Sequence, residues 1–167
     1  MNKAIVLGVG PVDGLGGQLA VRFSASGHHV FVAGRTQASL DELSSVIEGS
    51  GGRATAVVTD ATEELSIVNL LEAVDSEKGA LTLAIYNAGN NTPGRIIEMD
   101  ADYFESSWRV LCFGGFLFGR EALRRMQGSG GTLLFTGASA SMRGRAGFAA
   151  FNSGKSALRI LAQAMAK

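Results

Sequence analysis

The sequence contains few residues that form disulfides or bind metals. Its 167 residues include a single cysteine, Cys112, which excludes an internal disulfide. The two histidines are adjacent, at positions 28 and 29, and with one cysteine they do not form a pattern of metal ligands. We therefore expect no metal site and a reducing, cytoplasmic location. Both histidines precede the second predicted strand, where we expect them to face solvent.

An excess of charge of one sign and a long hydrophobic run are absent as well. Lys+Arg 15 balances Asp+Glu 15, so no net field attracts nucleic acid or an anionic membrane. The longest apolar run, residues 110–119, has half of the ~20 residues that a membrane-spanning helix needs. Residues 1–10 lack a small-residue cleavage site and lead directly into glycines, which is not typical of a signal peptide.

Apolar residues, in contrast, are abundant. Hydrophobic residues make up 46% of the chain and charged residues 18%. A chain of this length suits one domain, which buries roughly 68–70% of the surface that its unfolded form exposes. Since no linker, low-complexity tract or short repeat interrupts the sequence, we expect a single domain over residues 1–167.

Short β-branched runs alternate with longer amphipathic runs along the whole chain. The predicted strands are residues 3–9, 29–33, 53–59, 81–87 and 131–137. The predicted helices are residues 15–26, 37–48, 62–77 and 101–126, and a fifth helix begins near residue 151. The strands are nearly continuous apolar runs, which is typical of strands buried on both faces of a parallel sheet. The pattern predicts a three-layer, doubly wound α/β fold of the Rossmann type.

A glycine-rich loop, VLGVGPVDGLGGQLA, joins the first predicted strand to the first predicted helix. It contains Gly10, Gly14 and Gly16, with Gly8 as an additional glycine before them. Backbone N–H groups in such a loop approach a pyrophosphate closely, and the helix N-terminus carries about half a positive charge. Glycines also occur in ordinary tight turns. The position after a strand and at the start of a βαβ unit favours dinucleotide binding.

The spacing G-x-x-x-G-x-G resembles that of the short-chain dehydrogenase/reductase family. Three further stretches match this family: VTDAT with Asp60, YNAG with Asn87 to Gly89, and Lys155 on the fifth helix. The resemblance covers essentially all 167 residues. It implies the strand order 3-2-1-4-5, a nicotinamide dinucleotide as cofactor, and an oxidoreductase acting on a small carbonyl or alcohol.

The resemblance also implies which residues contact the cofactor. They are the loop residues Gly10, Gly14, Leu15 and Gly16, then Asp60 and Ala61 at the adenine, Asn87, Ala88 and Gly89 along the cofactor, and Lys155 at the ribose. Two alternatives are open. Asp60 is also a typical helix-capping residue, and Asn87 a typical turn residue at a strand end.

The end of the second predicted strand favours NADP(H) over NAD(H). NAD-binding proteins of this fold place an acidic residue there, whereas this chain has Gly34 and Arg35, followed by Thr36. A guanidinium pairs with a 2′-phosphate through charge-assisted hydrogen bonds, and the Thr36 hydroxyl adds a donor. Asp13 in the glycine loop opposes this preference, and a solvated surface arginine is the alternative role for Arg35.

The catalytic positions of the family are mostly replaced in this sequence. By resemblance, the proton-donating tyrosine corresponds to Phe151, the substrate-orienting serine to Ala138, and the asparagine of the water relay to Leu111. Lys155 is the one matching residue. Phenylalanine has no dissociable proton, so the usual general acid is missing. Ser139 is the nearest substitute for the serine, and a loop hydrogen bond is the alternative role for it.

The sequence stops at Lys167, at the end of the fifth predicted helix, where family members continue into a further strand and a substrate-covering segment. We therefore expect either a fragment or a fold truncated after the fifth helix. The apolar fourth and fifth predicted helices suggest a homodimer formed through them. Two functions remain open: an NADP(H)-dependent oxidoreductase with a degenerate catalytic set, and a catalytically silent dinucleotide-binding sensor or partner subunit.

Overall fold

Five parallel strands form the centre of the molecule. The computed structural model describes residues 1–167, and its strands are β1 (Lys3–Leu7), β2 (His29–Gly34), β3 (Arg53–Val58), β4 (Leu81–Tyr86) and β5 (Thr132–Phe135). They pair in the order β3-β2-β1-β4-β5, and every pairing is parallel. The predicted strand order and the doubly wound α/β class are confirmed.

Helices connect the strands and cover both faces of the sheet. They are α1 (Leu15–Ala25), α2 (Gln37–Gly49), α3 (Glu64–Asp75), α4 (Ala101–Trp108), α5 (Gly114–Met126) and α6 (Ala149–Met165). The fourth predicted helix is thus α4 and α5 with a π-helical segment, Arg109–Phe113, between them. The fifth predicted helix is α6. No helix in the structure combines the length and the apolar character that crossing a membrane requires.

Two apolar cores lie on opposite faces of the sheet, as a three-layer fold requires. One core packs α3 and α5 against the sheet through residues such as Ile67, Tyr86 and Phe118. The other packs α1 and α2 through residues such as Ala20 and Leu40. Strands β1, β2 and β4 are buried on both faces, with Thr82 of β4 only half-buried, whereas β3 and β5 are partly exposed along their length because they form the edges of the sheet.

The expectation that both histidines face solvent is wrong for His29. It is the first residue of the buried strand β2 and is only 2% exposed, with Nε2 2.8 Å from Oγ1 of Thr55 on β3. His28 is half-buried and lies 3.3 Å from Oγ1 of Thr82. Because β1 and β3 flank β2, its first residue is covered by both neighbours.

The π-helical segment has a specific hydrogen-bond partner inside the core. The hydroxyl of Tyr86 donates to the carbonyl oxygen of Val110 at 2.6 Å. Gly114 follows the segment, and a Cβ atom at that position would collide with the Tyr86 hydroxyl and lie 2.5 Å from the carbonyl oxygen of Ala61. The close packing of Tyr86 therefore requires glycine where α5 begins.

Candidate dinucleotide-binding and reaction site

A cleft opens at the carboxyl ends of the central strands, between β1 and β4, where the strand order reverses. Its volume is about 560 Å³. It brings together seven of the residues that the sequence assigns to the cofactor: Gly10, Arg35, Asp60, Ala61, Asn87, Ala88 and Gly89. In open α/β sheets, this reversal point is where ligands bind.

Two glycines shape the loop that follows β1. Gly8 has a φ of +101°, and a Cβ atom there would collide with the amide nitrogen of Ala88. Gly16 packs so closely that a Cβ atom would lie 2.7 Å from the carbonyl oxygen of Gly8 and 3.0 Å from Nδ2 of Asn87. Gly8, which the sequence pattern leaves as an additional glycine, is therefore indispensable to the loop. Its positive φ is a property of the folded backbone and leaves no signal in the spacing.

Gly10 differs from its neighbours because a Cβ atom there would meet no atom within 4 Å. Its backbone borders the cleft. Packing does not require glycine at this position, but the close approach of a ligand to the backbone would.

Helix α1 begins next to this loop with free backbone donors. Gly14 is its N-cap and supplies no side-chain cap, and its first turn contains no acidic residue. The N–H groups of Leu15 and Gly16 have no intrahelical acceptor because they belong to the first turn. Gly14, Leu15 and Gly16 do not line the cleft itself. Asp13 is exposed immediately before them.

Arg35 lies at the end of β2 with its side chain exposed and without a carboxylate partner in an ion pair. Thr36, the next residue, is the N-cap of α2, makes no capping hydrogen bond and does not line the cleft. The structure therefore places Arg35 at the cleft and Thr36 outside its lining.

Asp60 faces the same cleft and is held by its own turn. Its Oδ1 accepts hydrogen bonds from the amide and the hydroxyl of Thr62, both at 2.8 Å. Burial raises the pKa of Asp60, but these hydrogen bonds and the charges of Arg35 and Arg109 outweigh it, so the pKa lies below its usual value. Helix α3 begins at Glu64 with Glu63 as its N-cap, so Asp60 is a turn residue and not the cap.

Asn87 ties together the ends of three strands. Its Nδ2 donates to the carbonyl oxygen of Gly8 at 2.9 Å, and its Oδ1 accepts from Oγ1 of Thr136 at 2.8 Å. Thr136 directly follows β5. Asn87 therefore fixes the loop after β1 relative to β5, a larger role than that of a turn residue.

Lys155 is buried on α6 without a counterion. It is 5% exposed, and its Nζ donates to the carbonyl oxygen of Thr136 at 2.6 Å. Burial lowers the pKa of this ammonium group. Its Nζ would lie 3.7 Å from a Cβ atom on Gly89, so it borders the residues that line the cleft.

The positions that the family resemblance assigns to catalysis are only partly brought together. Ala138, Ser139 and Phe151 line a second cavity of about 270 Å³. The Phe151 ring centroid lies 6.0 Å from Nζ of Lys155. Leu111 does not reach this cavity. It is fully buried in the π-helical segment and packs against Gly154 of α6.

The fold and the cleft together define a Rossmann-type α/β protein with its loop glycines at the reversal point of the sheet. A sequence model of the family described as short chain dehydrogenase matches residues 3–167, and the chain belongs to this family. It is a family of oxidoreductases whose members bind a nicotinamide dinucleotide.

Individual relatives agree with this assignment. The chain is 32% identical over 158 residues to the oxidoreductase asL5 of Sarocladium schorii, covering 94% of this chain and 62% of that protein. It is 29% identical to the uncharacterized oxidoreductase YuxG of Bacillus subtilis, covering 99% of this chain and 24% of that protein. The chain thus spans less than two thirds of the length of these relatives.

Among solved structures, a short-chain dehydrogenase from Rhodopseudomonas palustris is 39% identical, with a TM-score of 0.93. The match covers 99% of this chain and 77% of that one. The likeness therefore extends over every strand and helix described above.

Proposed function

We propose that this chain binds NADP(H) and contributes the dinucleotide site of an oxidoreductase that acts on a small carbonyl or alcohol. The observation that carries the proposal is the cleft between β1 and β4. It combines a loop residue whose missing side chain leaves open space, Gly10, with an arginine that has no carboxylate partner, Arg35. Both features suit a phosphorylated ligand.

Different residues around the cleft would bind different parts of such a cofactor. The loop from Gly10 and the first turn of α1 would present N–H groups to the pyrophosphate, and Asp60 would bind the adenine amino group, as the family resemblance implies. Lys155 has three N–H donors, of which the bond to Thr136 uses one, so two are left for ribose hydroxyls. When bound, the cofactor supplies or accepts the hydride.

Arg35 selects between the two dinucleotides. Its guanidinium is exposed at the cleft, and an acidic residue that would bond an unphosphorylated ribose is missing from the end of β2, where Gly34 stands. A Cβ atom on Gly34 would lie 2.7 Å from the carbonyl oxygen of Val9, so packing excludes a larger side chain there. These features favour NADP(H), with NAD(H) as the weaker ligand.

The chemical step differs from that of relatives with a tyrosine. Phe151 cannot donate a proton, and general acid–base assistance is worth about 10²–10⁴-fold in rate. Ser139 is exposed at the cavity, but an aliphatic hydroxyl is a poor acid. Water or a group on the substrate must therefore deliver the proton, and we expect turnover to be slow.

A homodimer through α4, α5 and α6 is part of the proposal. Trp108, Phe116 and Ile160 are 38%, 37% and 58% exposed on these helices. Large apolar side chains exposed on neighbouring helices are typical of an interface. Light scattering should give twice the mass of the chain at micromolar concentration, and a monomer would contradict this part.

Titration with NADPH and NADH tests the cofactor site. NADPH should bind more tightly than NADH, and Arg35→Gln should weaken NADPH binding about 10- to 150-fold, as expected when a charged hydrogen bond of ~1.5–3 kcal/mol is lost. The same variant should leave NADH unchanged. Arg22→Gln is the matched control, because Arg22 is an exposed arginine in the last turn of α1. If NADPH and NADH bind with equal affinity, Arg35 does not select between them. If neither nucleotide binds, the proposal is wrong.

Turnover is tested by following NADPH oxidation with a panel of carbonyl compounds. The double variant Phe151→Tyr, Ala138→Ser should be faster than the wild type by about 10²-fold or more. Wild-type turnover that disappears in Lys155→Ala supports an enzyme without a phenolic acid. Activity that appears only in the double variant identifies the wild type as a dinucleotide-binding protein without turnover.

A further inference from the structure

The charged side chains that line the cavity beside Phe151 are all positive. Its lining contains Arg143 and Arg145 and no carboxylate. A shallower depression of about 650 Å³ adjoins it, shares both arginines, and is also free of Asp and Glu. The segment of residues 122–167, which includes both arginines, contains no Asp or Glu. Any ligand in this cavity therefore meets positive charge only.

Neither Arg143 nor Arg145 forms an ion pair with a carboxylate of the chain. Ion pairs are formed by the arginines at positions 53, 95, 120, 124 and 125, but not by Arg143 or Arg145. The guanidinium of Arg145 lies over the ring of Phe148, 4.8 Å from its centroid. This contact leaves its N–H donors in the ring plane of the guanidinium free for an acceptor.

The loop that carries these arginines is fixed to the start of α6. The carbonyl oxygen of Arg145 accepts hydrogen bonds from the amide of Phe148 at 3.2 Å and from Nδ2 of Asn152 at 3.1 Å. The hydroxyl of Ser156 donates to the carbonyl oxygen of Ser141 at 3.1 Å. The arginine backbone is thus held in place before any ligand arrives, which lowers the entropic cost of binding.

Helix α6 adds to the positive potential. Its N-cap, Phe148, provides no side-chain acceptor, and its first turn contains no acidic residue. The positive end of this 17-residue helix is therefore directed to the same region, without a carboxylate to compensate for it.

We propose that the cavity beside Phe151 binds an anionic substrate, a small carbonyl compound with a carboxylate or phosphate group that Arg143 and Arg145 hold. The proposal rests on the proposed function, because it names the substrate class of the same site. Guanidinium groups bind carboxylate and phosphate oxygens in pairs, so this chemistry covers both groups. The Phe151 ring provides the apolar wall for the rest of the ligand.

Two matched pairs of probes test the proposal by direct binding, without turnover. Acetoacetate is compared with methyl acetoacetate, and dihydroxyacetone phosphate with dihydroxyacetone, by saturation-transfer NMR and calorimetry on the full chain. Each titration is run with and without NADPH. The charged member of at least one pair should bind about tenfold more tightly or better, and the affinity should fall as salt is added. The pair that responds distinguishes carboxylate from phosphate.

Variants separate the two arginines from general charge effects. The double variant Arg143→Gln, Arg145→Gln should weaken the charged probe about tenfold and leave its neutral counterpart unchanged. Arg159→Gln is the control, because Arg159 is an exposed arginine on α6 that does not line this cavity. All variants should bind NADPH as the wild type does.

Two outcomes overturn the proposal while leaving NADP(H) binding intact. In one, the neutral probes bind as tightly as the charged ones, or no probe binds, although NADPH titrates normally. In the other, the double variant keeps full affinity for the charged probe. Loss of NADPH binding in the wild type is a different result, because it contradicts the proposed function itself.

Discussion

Two glycines in the same loop allow the fold and the ligand to be tested separately. Gly8 has a positive φ and no room for a Cβ atom, whereas Gly10 has no atom within 4 Å of that position. We therefore expect Gly8→Ala to damage folding and Gly10→Ala to damage nucleotide binding alone.

The magnitudes follow from the geometry. For Gly8→Ala, a left-handed backbone costs ~1–2 kcal/mol and the collision with Ala88 a further ~1–3 kcal/mol. The sum of about 2–5 kcal/mol lowers the melting temperature by about 4 °C or more. Gly10→Ala should keep or slightly raise stability, by ~0.4–1 kcal/mol, because the unfolded chain loses freedom. Its methyl group would crowd the pyrophosphate by ~1–3 kcal/mol, which is a roughly 5- to 150-fold loss of NADPH affinity.

The assay combines thermal unfolding with an NADPH fluorescence titration on both variants. Gly49→Ala is the control, since Gly49 ends α2 and a Cβ atom there also meets no atom within 4 Å. It should change neither quantity by more than a small amount. A Gly10→Ala protein that binds NADPH with wild-type affinity refutes the assignment of the pyrophosphate to this loop. A fully stable Gly8→Ala protein refutes the packing argument.

Three further predictions concern buried polar groups. Tyr86→Phe should lower the free energy of unfolding by ~1–3 kcal/mol, measured in urea, because the carbonyl of Val110 loses its donor. Glu121→Gln should cost a similar ~1–3 kcal/mol, since the carboxylate is 6% exposed and bonds three arginines of α5. Burial, and then the charge of Arg53, lowers the pKa of His29, so the unfolded chain binds this proton more readily than the folded one. The contribution of neutral His29 to the free energy of unfolding is therefore fully present above the unfolded pKa of 6.5 and is lost as the pH falls through the lower folded pKa. His29→Gln should reduce the change in urea midpoint between pH 7.5 and 5.

The alternation of strands and helices was predictable because each element carries its own hydrophobic pattern. The three inner strands are continuous apolar runs, and the structure buries them on both faces. The hydrophobic pattern by itself did not separate inner strands from edge strands. The strand order 3-2-1-4-5 that the family resemblance implies did, because it places the third and fifth strands at the ends of the sheet. Strand β3 has the same apolar character as β1, and only its place at the end of the sheet leaves it partly exposed.

The π-helical segment shows why local patterns do not fix every turn. Residues 101–126 have the sequence of one continuous helix, and that is the prediction. The extra residue in the turn depends on the Tyr86 hydroxyl, which bonds a helix carbonyl, and on Gly114, which lets the two come close. Both conditions join residues that are distant in sequence, so the periodicity contains no sign of them.

The candidate site also has one part that could be predicted from the sequence and one part that could not. The cleft residues Gly10, Arg35 and Asp60 lie one to three residues after the ends of strands, so the parallel sheet alone brings them to one edge. The hydrogen-bond partners of Lys155 and Asn87 could not be predicted. Thr136 lies beside Asn87 because β4 pairs with β5 in the register that places Tyr86 opposite Phe135, and Lys155 reaches the carbonyl oxygen of Thr136 from α6.

The hydrogen bonds of Lys155, Thr136 and Asn87 determine which properties of the protein a phenol at position 151 would change. Lys155 bonds the carbonyl of Thr136, the hydroxyl of Thr136 bonds Asn87, and Asn87 bonds the carbonyl of Gly8 in the glycine loop. Phe151 takes no part in this series. A buried ammonium without a counterion costs folding free energy, and the position of Lys155 beside the cleft is consistent with the binding role proposed for it. Because the series connects α6 to the glycine loop without residue 151, we expect Phe151→Tyr to change the rate of proton transfer and leave NADPH affinity unchanged.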